Sequence, residues 1–194
     1  HGELGMRYEE EAKEPTQIPK LRDVSSIACG HAHTVVLTSS NRVYTFGKGG
    51  FGQLGFDKHK KRKIAAKAVR FPRRDICISQ IACNSLSSLF LDTEGCVWAC
   101  GSNYGFILAL PEEGAINTVT QIPGLHNIRE IFAGSTHTIC LNANHELWGF
   151  GDNSCDALSI HDLGNYGTVK PPALVSTELT STLRQPSRIK SARK

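Results

Sequence analysis

Three groups of residues have the type and spacing for chemistry. Gly47-Lys48-Gly49-Gly50-Phe51-Gly52 matches the G-x-G-x-x-G of a dinucleotide loop, which works only where a helix N-terminus follows to hold the pyrophosphate. Gln53-Leu54-Gly55 and a basic run follow instead, so a turn is expected. Cys29-Gly30-His31-Ala32-His33, with Cys96 and Cys100, offers thiolates and imidazoles of the kind zinc takes. Zinc wants about four ligands converging tetrahedrally. The position of Cys29 recurs as Cys83 and Ala133, and that of His33 as Ser87 and His137, which points to packing rather than ligation. No Ser/His/Asp or Cys/His grouping carries the local signature of a nucleophile elbow. The expectation is therefore no catalytic residue, no metal and no cofactor, with Glu9-Glu10-Glu11 and Glu112-Glu113 as solvated faces.

The third group is basic. Lys58, Lys60, Lys61, Arg62, Lys63, Lys67, Arg70, Arg73 and Arg74 crowd residues 58–74, nine of the 22 basic residues in a chain of net charge +4. A further set, Arg184, Arg188, Lys190, Arg193 and Lys194, lies near the end. Such clusters neutralise phosphates, meet an acidic partner or serve in nuclear import. Nothing in them reads base edges, so a nucleic-acid contact would be nonspecific and strongly salt-dependent. Lys58, Lys60, Lys61, Arg62, Lys63, Arg70, Arg73 and Arg74 are the candidate partner or phosphate contacts.

The elements that must position these residues come from a repeat. Ile27-Ala28-Cys29-Gly30-His31-Ala32-His33-Thr34-Val35-Val36-Leu37 returns as residues 81–91 and again as 131–141, at spacings of 54 and 50. After each comes a short turn and a further strand: Val43-Tyr44-Thr45-Phe46-Gly47, Val97-Trp98-Ala99-Cys100-Gly101 and Leu147-Trp148-Gly149-Phe150-Gly151. Thr16-Gln17-Ile18-Pro19 reappears as Thr120-Gln121-Ile122-Pro123, 104 residues on. A repeat near 50 residues signals a stacked or radial architecture.

Two tight turns are expected in each unit. Gly30, Asn84 and Gly134 hold the first, and Asn41, Gly95 and His145 the second. All six are read as positions of positive φ, which glycine adopts freely and Asn and His tolerate best among other residues. Val35-Val36-Leu37, Leu89-Phe90-Leu91 and Ile139-Cys140-Leu141 are apolar on both faces, as in strands covered on both sides. Small residues at Thr45, Ala99 and Gly149 suit a taper toward a propeller axis. The prolines at 19 and 123 fit a peripheral or connecting strand, since proline cannot donate to a central ladder. Tyr44, Trp98 and Trp148 share one strand position, where packing is expected. The seven cysteines read as reduced core residues of a cytoplasmic or nuclear protein, and no apolar run is long enough for a membrane span.

These residues resemble the regulator of chromosome condensation repeat family. The resemblance rests on Cys29-Gly30-x-x-His33-Thr34 with Leu37, Val43-Tyr44-x-Phe46-Gly47 and Gly52-Gln53-Leu54-Gly55, and on Gly134-x-x-His137-Thr138, Leu147-Trp148-x-Phe150-Gly151 and Asp152-Asn153. Gly2-Glu3-Leu4-Gly5 looks like the close of a preceding repeat. The middle repeat departs from the pattern, with Ser87-Ser88 for His-Thr and Phe106-Ile107-Leu108 for Gln-Leu-Gly; the third has Asp156-Ala157-Leu158 there. Kelch repeats want a double glycine in every blade, and Gly49-Gly50 occurs once. The plant UV-B photoreceptor places a tryptophan where this chain has His31-Ala32, Ser85-Leu86 and Ser135-Thr136.

The resemblance implies an all-β fold, a β-propeller of four-stranded antiparallel blades, with about half of a ring in this chain. Gly30, His33, Gly47, Gly55, Trp98, Gly101, Gly134, His137, Trp148 and Gly151 are its structural repeat positions. The expected layout is the end of a repeat at 1–5, repeats at 6–56, 57–110 and 111–160, the start of a further unit at 161–175, and a Ser/Thr-rich basic tail at 176–194. A portion of a longer chain is expected, which the intact mass of the native protein would test. The implied role is a non-catalytic protein-interaction module, with a protein partner and nonspecific nucleic-acid or chromatin contact through the basic loop. Two other roles fit the resemblance: guanine-nucleotide exchange on a Ran-type small GTPase at chromatin, and a subunit whose neighbours in an assembly cover its blade faces.

Overall fold

The computed structural model describes residues 2–6, 13–18, 21–56, 62–160 and 167–175. Each repeat folds through two tight turns into three strands, and the segment after it adds a fourth. The first blade runs β1 (Val24–Cys29), β2 (His33–Thr38), β3 (Val43–Lys48) and β4 (Arg62–Ala68). The second is β5 (Ile78–Cys83), β6 (Ser87–Asp92), β7 (Val97–Ser102) and β8 (Ala115–Gln121). The third is β9 (Ile128–Ala133), β10 (His137–Asn142), β11 (Leu147–Asp152) and β12 (Thr168–Leu174). All three are antiparallel four-stranded sheets in sequence order. Register is the same in each, pairing His33 with Gly47, Ser87 with Gly101 and His137 with Gly151.

Strands β1, β5 and β9 approach one another across blades, so they lie on the inner side, and β4, β8 and β12 form the outer rim. The sequence repeat and the blade are thus one strand out of phase. The outer strand of each blade is drawn from the segment that opens the next repeat. Pro123 lies just beyond β8, as a residue unable to serve a central ladder should; Pro19 lies outside the described residues.

The blades stack through apolar faces. Val35, Leu37 and Val43 of the first blade meet Ile78, Ile81, Phe90, Trp98 and Cys100 of the second. Leu89, Leu91, Val97 and Ala99 then meet Ile128, Ile131, Cys140 and Phe150 of the third. Strands β6 and β7 are buried from end to end, which explains their lack of polar alternation. Where no described blade adjoins, the outermost faces are open: Ile27 is 61% exposed and Phe132 53%.

The second turn behaves as expected: Asn41, Gly95 and His145 have φ of 56°, 80° and 63°. The first turn does not, because Gly30, Asn84 and Gly134 stay out of the left-handed region. Their residue types have a different cause. A Cβ on Gly30 would lie 2.1 Å from Cε1 of His33, and one on Gly134 2.4 Å from Cε1 of His137. The imidazole fills the space of the missing side chain. In the second blade Ser87 replaces the histidine, the space opens, and Asn84 occupies it.

The small residues of the third strand also answer to a different neighbour than a taper toward the axis. Thr45 donates its hydroxyl to the carbonyl of Leu54 at 2.8 Å, and a Cβ on Gly149 would press on Leu158 at 3.0 Å. Gly149 makes room for Leu158, and Thr45 ties down Leu54, each in the loop that follows its strand.

Candidate partner-binding surface

The recurring residues build the junctions between blades rather than an open site. Ser88 Oγ donates to the carbonyl of Gln53 at 2.7 Å, which leaves His33 Nε2 to donate to Ser88 Oγ at 3.1 Å. One blade is thereby tied to the next through its Gly52-Gln53-Leu54-Gly55 turn. Thr34 Oγ1 donates to the carbonyl of Glu3 at 2.8 Å, so Gly2-Glu3-Leu4-Gly5 rests on the first blade as Gly52-Gln53-Leu54-Gly55 rests on the second. Gly52 is required there, since its φ is 89° and a Cβ would meet the Ile116 carbonyl oxygen at 2.3 Å. Gly47, Gly101 and Gly151 have φ of 105°, 127° and 104° and lie against the backbone of the turn two strands back. Gly55, with φ of 67°, packs against Val69, Cys100 and Val119. Trp98 is buried and donates its indole N–H to Asp92 Oδ2 at 2.8 Å, whereas Tyr44 and Trp148 are half-buried.

Burial holds the His33 imidazole down, to about 4, against a weaker opposing contribution from the backbone of Ser87. In the unfolded chain the ring takes a proton near pH 6.5. Between these values the unfolded state binds the extra proton, so stability is complete above about pH 6.5 and lost as pH falls toward 4. A depression of this size corresponds to about 3 kcal/mol. Melting followed by circular dichroism across that range should show the loss in the native chain. In His33→Gln the same stretch should be much flatter; an unchanged slope would remove His33 as its cause.

Residues 49–56 form turns, and β4 is the next element described, with no helix between Gly52 and β4 among the described residues. The cysteines correct the expectation of a uniform core role. Cys100 and Cys140 are buried, Cys83 and Cys96 half-buried, but Cys29, Cys77 and Cys155 are exposed. Those three lie at the last residue of β1, just before β5 and in the loop after β11. All seven are free thiols. Among the described residues, no three His, Cys, Asp or Glu side chains gather as they would around a metal, and no helix is long and apolar enough to cross a membrane.

The basic segment is divided by a strand. Arg62 and Lys63 open β4 opposite Lys48 and Gly47, while Arg70, Arg73 and Arg74 follow its far end. A seven-residue strand separates its ends by about 20 Å. Lys58, Lys60 and Lys61 lie outside the described residues. Lys67 is engaged internally, its Nζ 4.3 Å from the centre of the Phe56 ring. Arg70, Arg73 and Arg74 line a groove of roughly 540 Å3 with Asn41, Phe71 and Ile76. Beyond the Ser39–Arg42 turn, a second groove of roughly 250 Å3 holds Arg22 and Arg42. Arg22 and Arg42 are twenty residues apart in sequence, and the fold brings them to one groove.

Residues 24–53, 78–105 and 128–156, the first three strands of each blade, match the Regulator of chromosome condensation (RCC1) repeat, and a second profile of that repeat matches residues 1–37. The chain belongs to the regulator of chromosome condensation repeat family. It is 31% identical over 158 residues to Serine/threonine-protein kinase Nek9 of Xenopus laevis, covering 72% of this chain and 16% of that protein. It is 28% identical over 165 residues to the Probable E3 ubiquitin-protein ligase HERC6 of Homo sapiens, covering 82% and 16%. Its fold is that of yeast RCC1 (Prp20), solved bound to Kap60, with a TM-score of 0.79 at 21% identity over 92% of this chain and 43% of that one. The chain thus spans a small part of the curated relatives it matches.

In this regulator of chromosome condensation repeat segment, the first turns also link the blades, a feature the sequence did not announce. His31 N–H donates to the Ser85 carbonyl and Ser85 N–H to the Ser135 carbonyl, both at 3.0 Å. Gln80 spans the next junction with paired 2.8 Å bonds to the carbonyl and amide of Ile131. Repeats of this family form a propeller that is generally a non-catalytic interaction domain; where relatives carry the names of enzymes, this chain corresponds to 16% of their length.

Proposed function

We propose that this chain is a non-catalytic protein-binding segment of a propeller, holding a partner protein through loops at the strand ends, with the basic residues of 58–74 among the contacts. The observation that carries this reading is the contrast between locked junctions and open loops. His33, Gly52 and Gly55 are spent on joining blades, while Arg70, Arg73 and Arg74, beyond the far end of β4, are exposed. Rigid scaffolds that present loops commonly carry contacts there.

A second reading is exchange on a Ran-type small GTPase, favoured by the likeness in fold to yeast RCC1. Exchange needs no acid, base or nucleophile from the propeller. It needs tighter binding of the nucleotide-free than the loaded GTPase. Release of a fluorescent guanine nucleotide from a Ran-type GTPase, with and without the chain, separates the two. The binding-module reading expects an unchanged rate; acceleration by orders of magnitude would replace it with exchange.

A further inference from the structure

We propose that the groove lined by Arg70, Arg73 and Arg74 receives an acidic peptide segment of a partner protein. The inference deepens the binding-module reading and rests on it. Three guanidiniums border one short groove, whose remaining lining includes the half-buried Phe71 and Ile76. The floor is fixed: Phe71 meets Phe90 edge-to-face, with ring centres 5.3 Å apart. The rim is fixed as well, since Asn41 Oδ1 accepts the Ile78 amide at 3.0 Å and ties the turn of one blade to the next.

The charges of the groove are open to a ligand. Arg73 makes only long contacts, 3.7 Å to Asp75 and 3.8 Å to Glu94, between side chains more than half exposed. Arg70 and Arg74 have no ion pair among the described residues. A guanidinium offers a planar fork that matches a carboxylate in two parallel hydrogen bonds. The mixture of features selects a peptide over a nucleic acid. Asp75 and Glu94, beside Arg73, would repel an unbroken line of phosphates more than carboxylates spaced by apolar side chains. A peptide that alternates carboxylates with apolar side chains satisfies both the rim and the floor.

The test is a fluorescence-anisotropy titration of the full chain with a short labelled peptide of alternating Glu and Leu. A Lys/Leu peptide and a single-stranded DNA of similar length are run beside it. The acidic peptide should bind, and the Lys/Leu peptide should not. The exposed pair Arg70→Gln and Arg74→Gln should weaken binding about ten-fold or more. Arg129→Gln, an exposed cation of the third blade outside the proposed contacts, should change it by less than about two-fold. Equal loss in this variant and in the arginine pair, or none in the pair, overturns the groove, as does tighter binding of the DNA through the same arginines. Such a failure, with the GTPase rate unchanged, removes the groove and leaves the binding module; an accelerated rate removes the module whatever the peptide does.

Discussion

Gly30→Ala should destabilise the chain by about 1–3 kcal/mol, the usual cost of forcing a group into filled space. The added methyl lies 2.1 Å from Cε1 and 2.4 Å from Nδ1 of His33, and 2.8 Å from the Asn84 carbonyl oxygen. The imidazole has little room to yield, because its Nε2 is held by Ser88 at the junction of two blades. If the ring is the cause, the cost is not a property of Gly30 alone. In a His33→Ser background, the arrangement that the second blade uses with Asn84 and Ser87, the same substitution should lose most of its effect. Denaturant melts of the two single variants and the double variant give the coupling directly. Strict additivity would mean that the backbone, not the histidine, demands glycine there.

The second large effect is expected from three isoleucines at one repeat position. Ile131 and Ile81 are 1% and 6% exposed, each covered by the preceding blade, whereas Ile27 is 61% exposed. Ile131→Ala and Ile81→Ala should each cost about 2–5 kcal/mol, from lost burial and the cavity left behind. Ile27→Ala should fall within about 0.5 kcal/mol. The three share strand type and pairing partner position, so intrinsic strand preference cannot separate them; only the neighbouring blade can. Equal costs at all three positions would contradict radial stacking of these sheets.

Much of this architecture was legible in the residues because backbone constraints repeat even where side chains diverge. Asn41, Gly95 and His145 share no side-chain chemistry, yet all tolerate positive φ, and that alone marked the second turn. The same reasoning misread the first turn. Gly30 and Gly134 are selected by a ring three residues ahead, a contact that turn propensities do not describe, although the paired change to Asn84 and Ser87 held the clue. The cysteines misled because residue type reports an average preference for burial, while Cys29 and Cys77 sit at strand ends where no blade covers them. As for the candidate surface, the cluster at 58–74 was visible as charge. Its division by β4 was not, since an outer strand rich in Lys and Arg has no apolar alternation to reveal it. The nearness of Arg22 and Arg42 depends on turns that only the folded chain brings together.

The claim on which the rest depends is that neighbouring sheets seal each other's apolar faces. Cys100 lies sealed between the first and second blades and Cys140 between the second and third. Burial also raises both thiols, that of Cys140 to about 12. Alkylation of the native chain, with each site read by mass spectrometry, should label Cys29, Cys77 and Cys155 quickly and leave Cys100 and Cys140 unmodified until denaturant is added. Labelling of Cys100 and Cys140 as fast as Cys29 in the native chain would contradict the stacked blades.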